Sequence, residues 1–130
     1  MPARIVVVDD ELDIRIFIRT LLESRGYKVK VAENGLEGFE IAKKKKPDLI
    51  IMDVMMPKES GVNLYRAVKT DPELKDVPVL IVSAVSKKTF LHSQRVLNEH
   101  EGLSVPEPDD YIEKPPETEE LLEHVGRLVD

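Results

Sequence analysis

The sequence predicts an α/β fold in which one doubly wound parallel sheet carries helices on both faces, and three observations predict it. Continuous apolar runs recur at Ile5–Val8, Leu49–Met52 and Val79–Val82; strands this uniformly apolar are covered on both faces, the habit of a parallel sheet. Amphipathic helical patterns separate the runs. The order of strand then helix repeats five times, and right-handed crossovers then place the helices on both sides of a single sheet.

Each element has its own signal. After the first strand, Ile14, Phe17, Ile18, Leu21 and Leu22 fall at i, i+3, i+4, i+7 and i+8, one apolar stripe, with Gly26 placed to end the helix in a left-handed turn. Residues Tyr27–Ala32 alternate and read as an edge strand, and Leu36–Lys46 as the second helix. The third helix covers Val62–Lys69 and stops near Asp71-Pro72, because a proline disfavours helix in the residue before it. A fourth helix precedes the segment Glu101–Asp110 (EGLSVPEPDD), whose two prolines and acidic residues predict an irregular excursion. His92 and His100 are assigned to the most irregular region of the chain. The fifth strand, Asp110–Glu113, is short, and Leu121, Leu122, Val125, Leu128 and Val129 give the last helix its stripe.

Composition bounds the function. A chain of 130 residues, 42% hydrophobic and 34% charged, suits one soluble domain spanning residues 1–130. Its net charge of -6 disfavours nucleic acid and anionic membrane as partners, since both require a basic field. With no cysteine there is neither a disulfide framework nor a thiolate site, which fits a cytoplasmic protein. No signal peptide or membrane span is read, and no output module is read after the last helix.

Ligands of doubly wound sheets bind at the carboxyl ends of the strands. At those ends stand Asp9-Asp10-Glu11, Asp53, Ser83 and Glu113-Lys114-Pro115. Converging carboxylates repel one another and call for a cation, and an all-oxygen set favours Mg²⁺. Carboxylates, a metal, a hydroxyl and a lysine around one point suit phosphoryl transfer, in which a carboxylate can be the nucleophile. Taken alone, Asp9 and Asp10 could merely cap the first helix, and Asp53 could be a turn residue. Capping accounts for neither Asp53 nor Lys114.

At Val8-Asp9-Asp10-Glu11, Asp53 followed by Val54-Met55-Met56-Pro57 and Gly61, Ser83-Ala84, and Tyr111 three residues before Lys114-Pro115, the sequence resembles the receiver domains of bacterial response regulators. That resemblance covers nearly the whole chain. It implies the flavodoxin-like strand order 2-1-3-4-5 with five helices in three layers. It also implies that Asp53 takes a phosphoryl group from a phosphohistidine on a sensor histidine kinase or histidine phosphotransfer protein. Asp10, Asp53 and the Met55 carbonyl would ligate Mg²⁺, with Asp9 holding a coordinated water. Ser83 and Lys114 would each engage a phosphoryl oxygen. Movement of Ser83 would let Tyr111 turn inward, changing a surface that contacts a downstream protein or, in a phosphorylation-linked homodimer, a second copy. A cis Lys114-Pro115 bond belongs to the same pattern. The resemblance makes the chain a stand-alone switch that transfers the group to itself and loses it slowly, because Met55 and Val85 offer no polar group to orient water.

Two rivals stand beside this reading. A haloacid-dehalogenase-type phosphatase also uses an aspartyl phosphate, but it needs an Asp-x-Asp arrangement that Asp9-Asp10-Glu11-Leu12 does not supply. A non-phosphorylated interaction module would keep the fold alone. The long segment before the fifth strand and Pro116, where many relatives carry an aromatic residue, depart from the family pattern. The run Lys43–Lys46 is read as the solvated end of the second helix, where cations suit the dipole, and His92, His100 and His124 as exposed helix residues.

Overall fold

The structure, a computed structural model, describes residues 2–129, the side chain of residue 59 excepted. Five parallel strands form one sheet in the order β2-β1-β3-β4-β5, where β1 is Arg4–Val8, β2 Lys28–Ala32, β3 Leu49–Met52, β4 Val79–Ser83 and β5 Asp110–Glu113. Helices α1 (Leu12–Glu23), α2 (Gly35–Lys44), α3 (Ser60–Thr70), α4 (Lys87–Glu101) and α5 (Thr118–Val129) connect and follow them, with a short 3₁₀ turn at Pro57–Glu59.

The uniform apolar strands are explained by two cores. Val6, Val8, Ile50, Met52, Val79 and Ile81 face one side, where Ala42 of α2, Leu64, Tyr65 and Val68 of α3 and Phe90 of α4 cover them. Ile5, Val7, Leu49, Ile51, Leu80 and Val82 face the other, under Ile18 and Leu22 of α1 and Leu121 and Val125 of α5. Successive residues of a strand point to opposite faces, so a strand covered on both sides must be apolar at every position. At the border of the sheet, β2 pairs only with β1 and keeps Lys28 and Lys30 exposed, as an edge strand does.

Three expectations need correction. Helix α2 ends at Lys44, with Lys45 extended (φ -148°) ahead of Pro47, so the last two lysines of the run lie beyond the helix. Lys43 is not a free cation: at the surface it pairs with Asp71 at 3.1 Å and Glu73 at 2.8 Å, tying α2 to the loop after α3. His92 and His100 do not lie in irregular chain; both are exposed residues of α4, which runs unbroken for 15 residues and stops at Gly102 in the left-handed conformation (φ 68°). The predicted excursion does exist, as the irregular segment after Gly102 and before β5.

The third histidine is also different from expectation. His124 is only half-exposed and contacts Asp110 of β5, which Arg127 meets at 2.5 Å. Burial pushes the Asp110 carboxyl up, but the N–H of Tyr111, Arg127 and His124 outweigh it and hold the group below the usual carboxylate range.

Candidate functional site

Parallel pairing brings the strand ends to one rim. Val8 lies opposite Met52, and Met52 opposite Ile81, so the residues that follow β1 and β3 emerge side by side. The Asp53 N–H donates to the Val8 carbonyl at 3.0 Å, and the Lys114 N–H to the Ser83 carbonyl at 2.8 Å, extending the ladder one step past the strands. The site is therefore anchored on backbone hydrogen bonds of the sheet.

Asp53, 3% exposed, is held at both carboxylate oxygens. Its Oδ1 accepts the Met55 N–H at 2.8 Å and the hydroxyl of fully buried Ser83 at 2.6 Å. Its Oδ2 accepts from Lys114 Nζ at 2.9 Å. The same ammonium reaches Asp9 at 3.0 Å and Glu11 at 2.9 Å. Burial alone would depress the Lys114 pKa, but the bonds to Glu11, Asp53 and Asp9 hold it above the ordinary lysine value, so the group stays cationic.

Asp9, 2% exposed, accepts the Glu11 N–H at 2.9 Å, which shapes the turn out of β1. Burial pushes its carboxyl above the ordinary aspartate value and the Asp53 charge adds to this, against the pull of the Glu11 N–H and Lys114. Helix capping does not explain these acids: the residue before α1 is Glu11, and no side chain caps that helix. Asp10 is exposed beside them.

Asp9, Asp10, Glu11 and Asp53 each offer a carboxylate oxygen within 4.8 Å of the others. Four carboxylates against one contacting ammonium leave excess negative charge, and the donors are all hard oxygens. Such a set suits an oxygen-seeking divalent cation better than a softer metal. Met55 contributes its N–H to Asp53, and the residue is 61% exposed.

Tyr111 lies on the β4–β5 side of the rim. It is 9% exposed, and its hydroxyl donates to the Val85 carbonyl at 2.6 Å, so the ring is turned inward against Phe90 at a centroid distance of 5.9 Å. Burial, with the charges of Glu113 and Asp53, pushes its phenol up to about 12. The bond between Lys114 and Pro115 is cis.

The residues given a chemical role thus meet at one rim: Asp9, Asp10, Asp53, Ser83 and Lys114 at the cluster, Met55 and Tyr111 at its margins. Sequence reasoning gave no role to Glu11, although it completes the carboxylate set around Lys114. It also passed over Arg15, whose guanidinium donates to the Asp9 carbonyl at 2.7 Å. Glu11 was visible as the third acid of its run, whereas Arg15 left no sign beyond its place one turn into α1.

Residues 5–126 match the family described as the response regulator receiver domain. The response regulator MprA of Mycobacterium sp. (strain KMS) is 34% identical over 129 residues, covering 99% of this chain. The chain spans about half the length of that relative, 51%. Among solved structures, the chemotaxis response regulator CheY4 of Vibrio cholerae superposes with a TM-score of 0.81 at 29% identity, covering 98% of this chain and 99% of its own. The response regulator TrrA of Thermotoga maritima, solved in complex with Mg(2+)-BeF, gives a TM-score of 0.77 at 31% identity, with 98% and 99% covered. Sheet order, the acidic rim and these matches agree, and the chain belongs to the response regulator receiver domain family.

Proposed function

We propose that this chain is the phosphoryl-accepting switch of a two-component signalling system and that Asp53 is the residue phosphorylated. The observation that carries the reading is the grip on Asp53: one oxygen faces a backbone N–H and a buried hydroxyl, the other an ammonium, beside three further carboxylates. A carboxylate in that position attacks the phosphorus of a phosphohistidine on a sensor histidine kinase or a histidine phosphotransfer protein. The new P–O bond forms as the P–N bond breaks, and the imidazole leaves with the bonding pair. Lys114 neutralises one oxygen of the transferred group, and the Ser83 hydroxyl donates to another.

Asp10, Asp53 and the Met55 carbonyl would hold Mg²⁺, with Asp9 engaging it through water, and the all-oxygen donor set fits that ion. Bound there, Mg²⁺ supplies the charge neutralisation that the transferring group needs. Signalling then runs through Ser83 and Tyr111 to a protein-contact surface, whether of a downstream target or of a second copy. Among the described residues no helix is long and apolar enough to cross a membrane.

Incubation with Mg²⁺ and acetyl phosphate, read by intact mass, tests this. The wild type should gain one phosphoryl group that is labile in base, and Asp53→Asn should gain none. Equal labelling of the two proteins defeats the assignment.

A further inference from the structure

The irregular segment between α4 and β5 is fastened along its length. Val105 is buried, and Asn98 of α4 clasps its backbone from both sides, Nδ2 donating to the Val105 carbonyl at 3.1 Å and Oδ1 accepting the Val105 N–H at 3.3 Å. The Tyr65 hydroxyl donates to the Pro106 carbonyl. Asp109 accepts the Val79 N–H at 2.8 Å and pairs with Lys69 at 3.3 Å. Behind the segment, Arg66 of α3 holds Gln94, Asn98 and Glu101 of α4.

Tyr65 is also one end of a column of three rings. It meets Phe90 edge to face at 5.5 Å, and Phe90 meets Tyr111 at 5.9 Å. The other end of the column, the Tyr111 hydroxyl, sits on the Val85 carbonyl, two residues past Ser83. Tyr65 and Phe90 are almost fully buried, at 0% and 2% exposure. A close-packed interior passes a displaced ring on to its neighbours.

We propose that residues 103–109 form a strap whose fastening at Tyr65 is coupled through Phe90 to the position of Tyr111, so that the strap and the end of α4 are a surface that changes with the state of Asp53. The inference rests on the receiver reading above. It makes Tyr65 a positioning residue remote from the phosphoryl site. Coupling between two sites is reciprocal: a loosened strap must weaken whatever favours the inward Tyr111 at Asp53.

Tyr65→Phe keeps the ring and deletes only the bond to Pro106. With Mg²⁺ present, the beryllofluoride concentration that half-saturates the protein should rise about fivefold, the factor one hydrogen bond represents. Asn98→Ala, which loosens the strap elsewhere, should shift it in the same direction. In a Tyr111→Ala background the effect of Tyr65→Phe should vanish, because the column is cut; a merely structural Tyr65 gives the same change in both backgrounds. In the wild type, amide exchange at 103–109 should slow when beryllofluoride binds. An unchanged half-saturation in both strap variants, or equal effects of Tyr65→Phe with and without Tyr111, overturns the proposal. A wild-type response confined to the neighbours of Asp53 overturns the coupling alone, and no response anywhere overturns the receiver reading with it.

Discussion

Replacing Gly61 with alanine tests how the loop after β3 is held. Gly61 is the second residue of α3, and a Cβ there would lie 2.2 Å from the Asp53 carbonyl oxygen, 2.6 Å from Val54 Cα and 3.0 Å from the Asp53 carbonyl carbon. Ordinary contact begins near 3.4 Å, and every atom in the way is backbone, so no flexible side chain can yield. Something must move by about an ångström, and the segment that moves carries Asp53. Overpacking costs about 1–3 kcal/mol, with backbone clashes at the upper end. The better helix propensity of alanine returns at most about 1 kcal/mol. The expected outcome is a loss of about 2 kcal/mol, or roughly 8 °C in melting temperature for a domain of this size. Gly126 is the internal control: it lies within α5 with nothing within 4 Å of its Cβ position. Gly126→Ala should therefore stabilise by about 0.5–1 kcal/mol. Urea unfolding of the two variants beside wild type, at constant m, measures both. A Gly61→Ala protein within about 0.5 kcal/mol of wild type refutes the close approach as a constraint on the fold.

The acidic rim predicts a stability that depends on cation: at a Mg²⁺ concentration 100 times its dissociation constant, unfolding should cost about 2.7 kcal/mol more, and Asp10→Asn should remove most of that gain in a melt with and without chelator. Asp9 has a raised folded-state pKa, so the folded state binds its proton more tightly than the unfolded one; stability from this group is full below the ordinary value of 3.8 and is lost as pH rises through the folded value. Without Mg²⁺, Asp9→Asn should therefore be more stable than wild type at pH 7, an advantage that shrinks as the pH is lowered toward 3.8, as paired denaturation curves would reveal. Phospho-Asp53 should persist in the wild type because exposed Met55 and half-buried Val85 cannot orient water, and Met55→Asn with Val85→Glu should shorten its half-life about tenfold or more in a timed loss of label. Lys114→Met leaves three carboxylates without their shared cation, and uptake of phosphoryl from acetyl phosphate should fall by about a hundredfold or more.

Most of the architecture was legible in the sequence because burial on both faces writes itself as unbroken apolar runs. Ile5–Val8, Leu49–Met52 and Val79–Val82 could hardly be anything else. The rim was legible for a related reason: acids directly after such runs can only sit at strand ends. What escaped reading depends on partners far along the chain. Glu11 acquires its role from Lys114, 103 residues away, and Lys43 from Asp71 and Glu73. His124 reads as an ordinary helix position until β5 places Asp110 against it. α4 was hard to delimit because its apolar stripe is thin: Phe90 is its one fully buried large apolar residue, and Val96 is 52% exposed. The fastening after α4 was invisible, since prolines and acids announce a loop but not the clasp by Asn98 or the bond from Tyr65.

The lysines on β2 have a colloidal consequence. An outer strand with unsatisfied amides is a template on which another molecule can polymerise, and half-buried Val31 supplies an apolar contact for it. For a second molecule to add there, the ammonium groups of Lys28 and Lys30 would have to shed water against like charge. Concentrated solutions should therefore stay clear, and a Lys28→Thr, Lys30→Thr double variant should turn turbid and scatter light first.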